Sequence, residues 1–200
     1  LEADRCGEDD VSGSHVIASS RSARLLPLTE HHLDAVLAIE EQSSPAGWTR
    51  KLFEAELARP DLRCYLVLEL PDPHGVVAFG GVQLQLDEAH ITTLAVAPAY
   101  RRRKYATRLL AELLRVARAR NARAATLEVR HHNVAAQRLY AGFGFRPVGI
   151  RPRYYEGTDD ALIMWAHDID QPEYGRLLDA RATAAEAADP IMSVATHGKR

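Results

Sequence analysis

Two hydrophobic periods share the chain, and the places where one gives way to the other mark its elements. "ARLLPLT" (Ala23–Thr29) has the content of a first strand, and Pro27, which cannot donate to a ladder, puts it at an edge or near its end. Thr29 can cap a helix in which Leu33, Val36, Leu37 and Ile39 recur at helical spacing until "SSPAG" stops it. Thr49 caps a second helix through Phe53 and Leu57, which ends before Pro60. The period then shortens. "CYLVLEL" and "VVAFGGVQL" are strands separated by the turn residues "PDPHG", and "EAHITTLAV" is a third. A helix over Tyr105–Arg120 gathers Leu109, Leu110, Leu113, Leu114 and Ala117 on one stripe. "AATLEV" is a strand, "NVAAQRLYAGF" a short helix, and "FRPVGIRPRYY" and "ALIMWAHDI" the closing strands.

That order, β-α-α-β-β-β-α-β-α-β-β, predicts an α/β (α+β) chain. It implies a mixed central β-sheet flanked by about four helices, with parallel pairing where the long helix joins two strands. Residues 1–22 begin with five acids against Arg5 and continue small and polar, so they are expected to form a flexible leader. The folded domain is expected over 23–170. An Ala-rich extension over 171–200 contains the helix candidate "RLLDARATAAEAAD".

Composition mainly excludes. Two hundred residues suit one domain with a real core. A formal net charge of −2 gives no global attraction to nucleic acid or membrane, so any basic site must be local. Cys6 and Cys64 are the only cysteines, which offers no disulfide framework and fits a reducing cytoplasm. No apolar run reaches the roughly 18 residues of a membrane span, and the start lacks the pattern of a signal peptide.

The local basic site is Arg101, Arg102, Arg103 and Lys104, between an apolar strand and the mouth of the long helix. A helix N-terminus disfavours cations unless an anion is also present. Free backbone N–H groups and flanking cations there make a phosphate site, although a solvated basic turn or a nucleic-acid patch would read the same way. Glu128 interrupts an apolar strand; it either faces solvent or is held as a base. Asn133 is a good cap for the helix that follows, and Tyr140, later on that helix, could be an ordinary core tyrosine. The pairs His31–His32 and His131–His132 have no metal-ligand spacing, and no metal is expected.

In order and at these spacings, "LAVAPAYRRRKYATRLL", "TLEVRHHNVAAQRLYAGFGFRPVGIRPRYY" and "DALIM" resemble the GNAT superfamily of acetyl-CoA-dependent N-acetyltransferases. Within it the resemblance is to the RimI type, the ribosomal-protein-alanine N-acetyltransferases, and it covers Ala23 to Asp168. It implies the GNAT fold and acetyl-CoA as cosubstrate. By that resemblance Leu94, Ala95 and Val96 lie on a bulged strand that pairs with the pantetheine arm. Arg101 opens the pyrophosphate loop of Arg102, Arg103, Lys104, Tyr105, Ala106 and Thr107, and Asn133 also touches coenzyme A. Glu128 matches the proton acceptor and Tyr140 the proton donor to the thiolate, while Trp48, Tyr154 and Tyr155 match walls of a peptide groove. The implied substrate is the N-terminal alanine of ribosomal protein S18, with no membrane or nucleic-acid partner. A small-molecule amine, a lysine, or a non-catalytic acyl-CoA-binding role are the alternatives. One position departs from the pattern: Lys104 stands where the loop's first glycine belongs, which requires ordinary backbone angles there.

Overall fold

The computed structural model describes residues 23–43 and 47–188. The acidic leader with Cys6, residues 44–46 and the polar end from 189 lie outside the described residues. The strands are β1 (Arg24–Pro27), β2 (Arg63–Leu70), β3 (Gly75–Gln85), β4 (Glu88–Val96), β5 (Ala124–Arg130), β6 (Arg146–Tyr155) and β7 (Asp159–Ala166). The helices are α1 (Leu33–Ser43), α2 (Arg50–Leu57), α3 (Tyr105–Ala119), α4 (Val134–Ala141) and α5 (Pro172–Ala187). The strands form one sheet in the order β1-β2-β3-β4-β5-β7-β6. Every pairing is antiparallel except β4 with β5, the pair that α3 joins. β1, with Pro27 at its end, is an edge strand, as its sequence suggests.

The caps are where the side chains put them. Thr49 Oγ1 accepts from the Leu52 N–H at 3.3 Å and opens α2, and Asn133 Oδ1 accepts from the Ala136 N–H at 3.1 Å and opens α4. Thr29 leads into α1 through a single 3₁₀ turn, with its own N–H donating to His32 Nδ1 at 3.0 Å.

From β2 to β4 the sheet is packed on both faces, while β6 at its far edge is mostly exposed. On one face Leu66, Leu68, Val82, Ile91, Leu127 and Met164 pack against α3 and α5. On the other, Tyr65, Val67, Phe79 and Ala95 meet Leu33, Val36, Ile39 and Phe53 of α1 and α2. The apolar positions of β4 would not all reach their face on a regular strand. Ala89 and Ile91 point toward α3, and so do Leu94 and Val96, an odd step further on. The register explains it. Gly81 pairs with Thr93 but Val82 with Ile91, so Thr92 is an extra residue in a β-bulge and the facing resets there. Gly81 makes the bulge possible: a Cβ on it would lie 2.2 Å from Tyr65 Cε1. Without that Cβ the Tyr65 ring lies across the glycine, and its hydroxyl reaches Thr92 Oγ1 at 3.2 Å and Glu56 Oε2 at 2.8 Å.

The Ala-rich stretch after Asp170 forms α5, which docks on α3. Leu178 is fully buried, Arg115 pairs with Asp179 at 2.8 Å, and Arg118 donates to the Ile169 and Gln171 carbonyls. Tyr174, also buried, donates to the Phe143 carbonyl at 2.8 Å, in the turn that follows α4. Among the described residues no helix is long and apolar enough to cross a membrane. Because Leu178 closes the core from a helix late in the chain, Leu178→Ala should lower the unfolding free energy by about 2–5 kcal/mol in urea. A change below roughly 0.5 kcal/mol, the size of an ordinary surface substitution, would mean α5 is not part of the cooperative unit.

Candidate active site

The two parallel strands touch only briefly. β4 and β5 pair from Glu88 to His90 against Ala124 to Thr126, and beyond that they diverge. The rest of β4 keeps its bonds to β3 on one side and faces an open cleft on the other. Ala97 N–H donates to Val77 O at 2.9 Å, so by the alternation of an antiparallel ladder the N–H and C=O of Val96 and Leu94 point away from β3. The Val96 carbonyl accepts from Arg101 Nε at 3.2 Å; the cleft is thus lined with backbone donors and acceptors and has a guanidinium at its end.

Beyond that end the chain enters α3. Lys104 stands at the helix's N-cap with φ 64° and ψ 11°, and Arg102 has φ 68°. Both are left-handed. The ordinary backbone angles expected of Lys104 are therefore corrected: lysine holds the conformation that a glycine would hold, because the chain must turn sharply into the helix. The first turn of α3 contains no acid and no side-chain cap, and among the described residues nothing accepts from the Ala106 or Thr107 N–H. Arg103 stacks over the Tyr100 ring at 5.4 Å. Donors without acceptors beneath a cluster of cations fit an anion, and a diphosphate in particular. Asn133 fills the cap role that its sequence gives it: its Oδ1 is occupied by the cap, and its side chain is otherwise exposed.

On the α1 and α2 face of the sheet, past those helices, lies a pocket of about 500 Å³ lined by Gln83, Glu88, His90, Glu128, Arg151 and Trp165, among others. Glu128 is in its wall because Leu127 and Val129 take the other face. Its side chain is only 10% exposed, and both oxygens are engaged: Oε2 with His90 Nε2 at 3.2 Å, Oε1 with Arg151 at 3.0 Å. Burial first, then Arg151 and Arg63, hold the His90 imidazole below its usual range, with the Glu128 charge opposing them.

Tyr140 belongs to the core on the α3 face, so it and Glu128 flank β5 from opposite sides. It is 8% exposed, and no described residue hydrogen-bonds its hydroxyl. Burial, reinforced by Tyr155, pushes the Tyr140 phenol well above its usual value, so it remains a donor at neutral pH. The Tyr155 hydroxyl donates to the Glu128 backbone carbonyl at 3.0 Å, and the phenol is pushed up to about 12, chiefly by burial. Tyr154, beside it, is exposed and lines the pocket. Trp48 is elsewhere: it packs on Phe53 at 5.2 Å and Tyr65 at 5.9 Å and is not in the pocket wall. Its backbone N–H donates to the buried Glu40 carboxylate at 3.2 Å, a group whose pKa is raised by burial.

A splayed parallel pair, a helix mouth with uncapped N–H donors and a carboxylate pocket agree with what the sequence resembles, and similarity to known proteins decides it. Residues 33–145 match the profile of the acetyltransferase (GNAT) family. A Bacillus subtilis (strain 168) protein provisionally named a [ribosomal protein bS18]-alanine N-acetyltransferase is 38% identical over 134 residues, 66% of this chain and 87% of that one. The [ribosomal protein bS18]-alanine N-acetyltransferase of Escherichia coli (strain K12) is 34% identical over 135 residues, 66% of this chain and 88% of that one. The chain belongs to the GNAT family. It is an N-acetyltransferase. Its fold agrees: the crystal structure of the ribosomal-protein-S18-alanine N-acetyltransferase from Escherichia coli superposes with a TM-score of 0.64 at 31% identity, covering 74% of this chain and 94% of that one.

Within this GNAT chain, two residues of the pocket escape a reading of the sequence. His90 and Arg151 come from β4 and β6, distant in sequence from Glu128, and only the sheet register brings them to it. The sequence signal is weak: a histidine in the apolar run "EAHITTLAV", on the opposite face from Ala89 and Ile91. The helix mouth yields a test of its own. A left-handed non-glycine residue costs roughly 1–2 kcal/mol, of which the extra freedom of glycine in the unfolded chain offsets roughly 0.5–1. Lys104→Gly should therefore raise stability by roughly 0.5–1 kcal/mol, or a few degrees in the thermal midpoint. A lower midpoint would show that the lysine side chain holds the turn.

Proposed function

We propose that this enzyme transfers the acetyl group of acetyl-CoA to the α-amino group of a protein N-terminus, with the N-terminal alanine of ribosomal protein S18 as its substrate. The observation that carries the substrate class is the activity named for relatives that match over most of their own length. The pocket supports it physically, because an exposed tyrosine and a carboxylate line one pocket of about 500 Å³. A ribosomal-protein substrate assigns the reaction to the cytoplasm.

In this reading the cleft-side backbone of Leu94 and Val96 pairs with the pantetheine arm, with Ala95 between them holding β4 to β3. Arg101 to Thr107 hold the phosphates, and Asn133 lies at the edge of the same site. When bound, the cosubstrate supplies the thioester; everything else is done by the protein. An α-amino group has a pKa of about 8 against about 10.4 for lysine, so a modest base in the pocket suffices to produce the neutral nucleophile. Glu128, directly or through an intermediary, provides that base. A free N–H of β4 meets the oxyanion as it develops. Tyr140, protonated and otherwise unbonded, gives its proton to the departing thiolate from the opposite side. Tyr154 and Tyr155 shape the entrance; Trp48 acts from behind, by fixing the segment that leads into α2.

The test is release of free coenzyme A from acetyl-CoA by an Ala-starting S18 peptide, beside the same peptide with its α-amine blocked and its lysines free. We expect release with the free N-terminus alone. Equal release with both would move the substrate to lysines, and none with either would remove the reading. Since no described residue bonds the Tyr140 hydroxyl, Tyr140→Phe should change stability by less than about 0.5 kcal/mol while lowering kcat about 10²-fold. A melted domain would instead mark Tyr140 as a core residue.

A further inference from the structure

Glu128 is the conspicuous carboxylate of the pocket, but its geometry suits it better to hold a charge than to take a proton from a substrate. Both oxygens already stand at ion-pair distance from a partner, Oε1 from Arg151 and Oε2 from His90, and the side chain is nearly enclosed. His90 is the more open partner, 34% exposed against 10%, and stands in the same wall. A ring-nitrogen lone pair 3.2 Å from a carboxylate oxygen would be repelled by it, which favours the tautomer with hydrogen on Nε2 and the lone pair on Nδ1. No described residue occupies Nδ1.

We propose that His90 and Glu128 form a dyad in which the imidazole Nδ1, rather than the carboxylate, receives the proton of the substrate amine and Glu128 holds the resulting imidazolium. This rests on the acetyltransferase reading above and names the intermediary through which Glu128 acts. The ammonium gives one proton to Nδ1, while Nε2–H stays beside Glu128 Oε2. The freed nitrogen bonds the acetyl carbon, the carbon–sulfur bond breaks, and the thiolate takes the proton of Tyr140. The surplus proton on the new amide nitrogen returns through water to the Tyr140 oxygen, and the imidazolium releases its proton to solvent. One proton leaves per turnover, as the reaction of an ammonium requires.

The match of proton affinities favours imidazole. An ordinary histidine lies about 1.5 pKa units below an α-amine and an ordinary glutamate about 3.7, so an imidazole held somewhat below its usual range is still the nearer base, by a smaller margin. The charged groups around His90 are Glu128 on β5, Arg151 on β6, Arg63 on β2 and Glu88 on its own strand. Burial and the two guanidiniums keep the ring neutral at pH 7, and therefore able to accept, while Glu128 offsets part of their effect. Arg151 also anchors the other carboxylate oxygen and so fixes the face that Glu128 presents to His90.

Two measurements test the dyad. The first needs no substrate: ¹H–¹⁵N titration of His90 in the wild type and in Glu128→Gln. Removing the carboxylate that favours imidazolium should lower the titration midpoint by about 1 unit. The second is turnover with the peptide above. His90→Gln should lower kcat about 10²-fold with the KM for acetyl-CoA unchanged, and His90→Ala should regain part of its rate when free imidazole is added. A His90→Gln enzyme within twofold of the wild-type kcat, with the same pH profile, overturns the dyad and leaves the acetyltransferase reading standing. If the wild type itself turns over no N-terminal peptide, the titration decides alone: an unmoved midpoint overturns the dyad, and a lowered one retains it while the substrate reading falls.

Discussion

The site depends on one failure of pairing. β4 and β5 begin as a regular parallel pair and then separate, leaving the inner backbone of Leu94 and Val96 without a strand partner. A polar backbone group left unbonded and cut off from water costs about 1–3 kcal/mol, so this edge must stay wet or be covered by something with matching donors and acceptors. An extended ligand arm laid between the strands meets that demand as a further strand would. The cleft also sets the positions of the chemistry. Side chains alternate along β5, so the strand that walls the cleft presents Glu128 on one face of the sheet, while α4 brings Tyr140 to the other.

What keeps the strands apart is built into β4 and its neighbour. The extra residue at Thr92 turns the far half of β4, and the Tyr65 ring, lying across Gly81, ties that bulge to Glu56 of α2. Arg63 completes the tie with a bond to the same carboxylate at 2.6 Å. On the opposite face α3 and α5 brace the sheet, and the Tyr174 bond to Phe143 fixes the turn just beyond Tyr140. The geometry that separates Glu128 from Tyr140 thus draws on both layers of helices.

Much of this was legible in the sequence. The eleven principal elements from β1 to β7 stand where period and capping residues put them, and "EAHITTLAV" coincides with β4 end to end. The helix mouth was visible because four consecutive cations precede an amphipathic run. What the sequence did not disclose are matters of register and backbone angle. The bulge of β4 was implied only by the family resemblance and cannot be told from alternation, since the reset of facing looks like a simple irregularity in apolar spacing. Nor can a sequence reveal that Lys104 is left-handed, because lysine is rare there and nothing local announces it. His90 and Arg151 become neighbours of Glu128 only once three strands are aligned.

The most direct test of the open cleft is hydrogen exchange at three consecutive amides of β4, with and without acetyl-CoA. The Ala95 N–H faces β3 and should be protected in both states, while those of Leu94 and Val96 should exchange readily alone and slow markedly when the ligand fills the cleft. Leu94 and Val96 amides already protected in the free protein, or unaffected by saturating acetyl-CoA, would contradict the claim that the open side of β4 is where the cosubstrate binds.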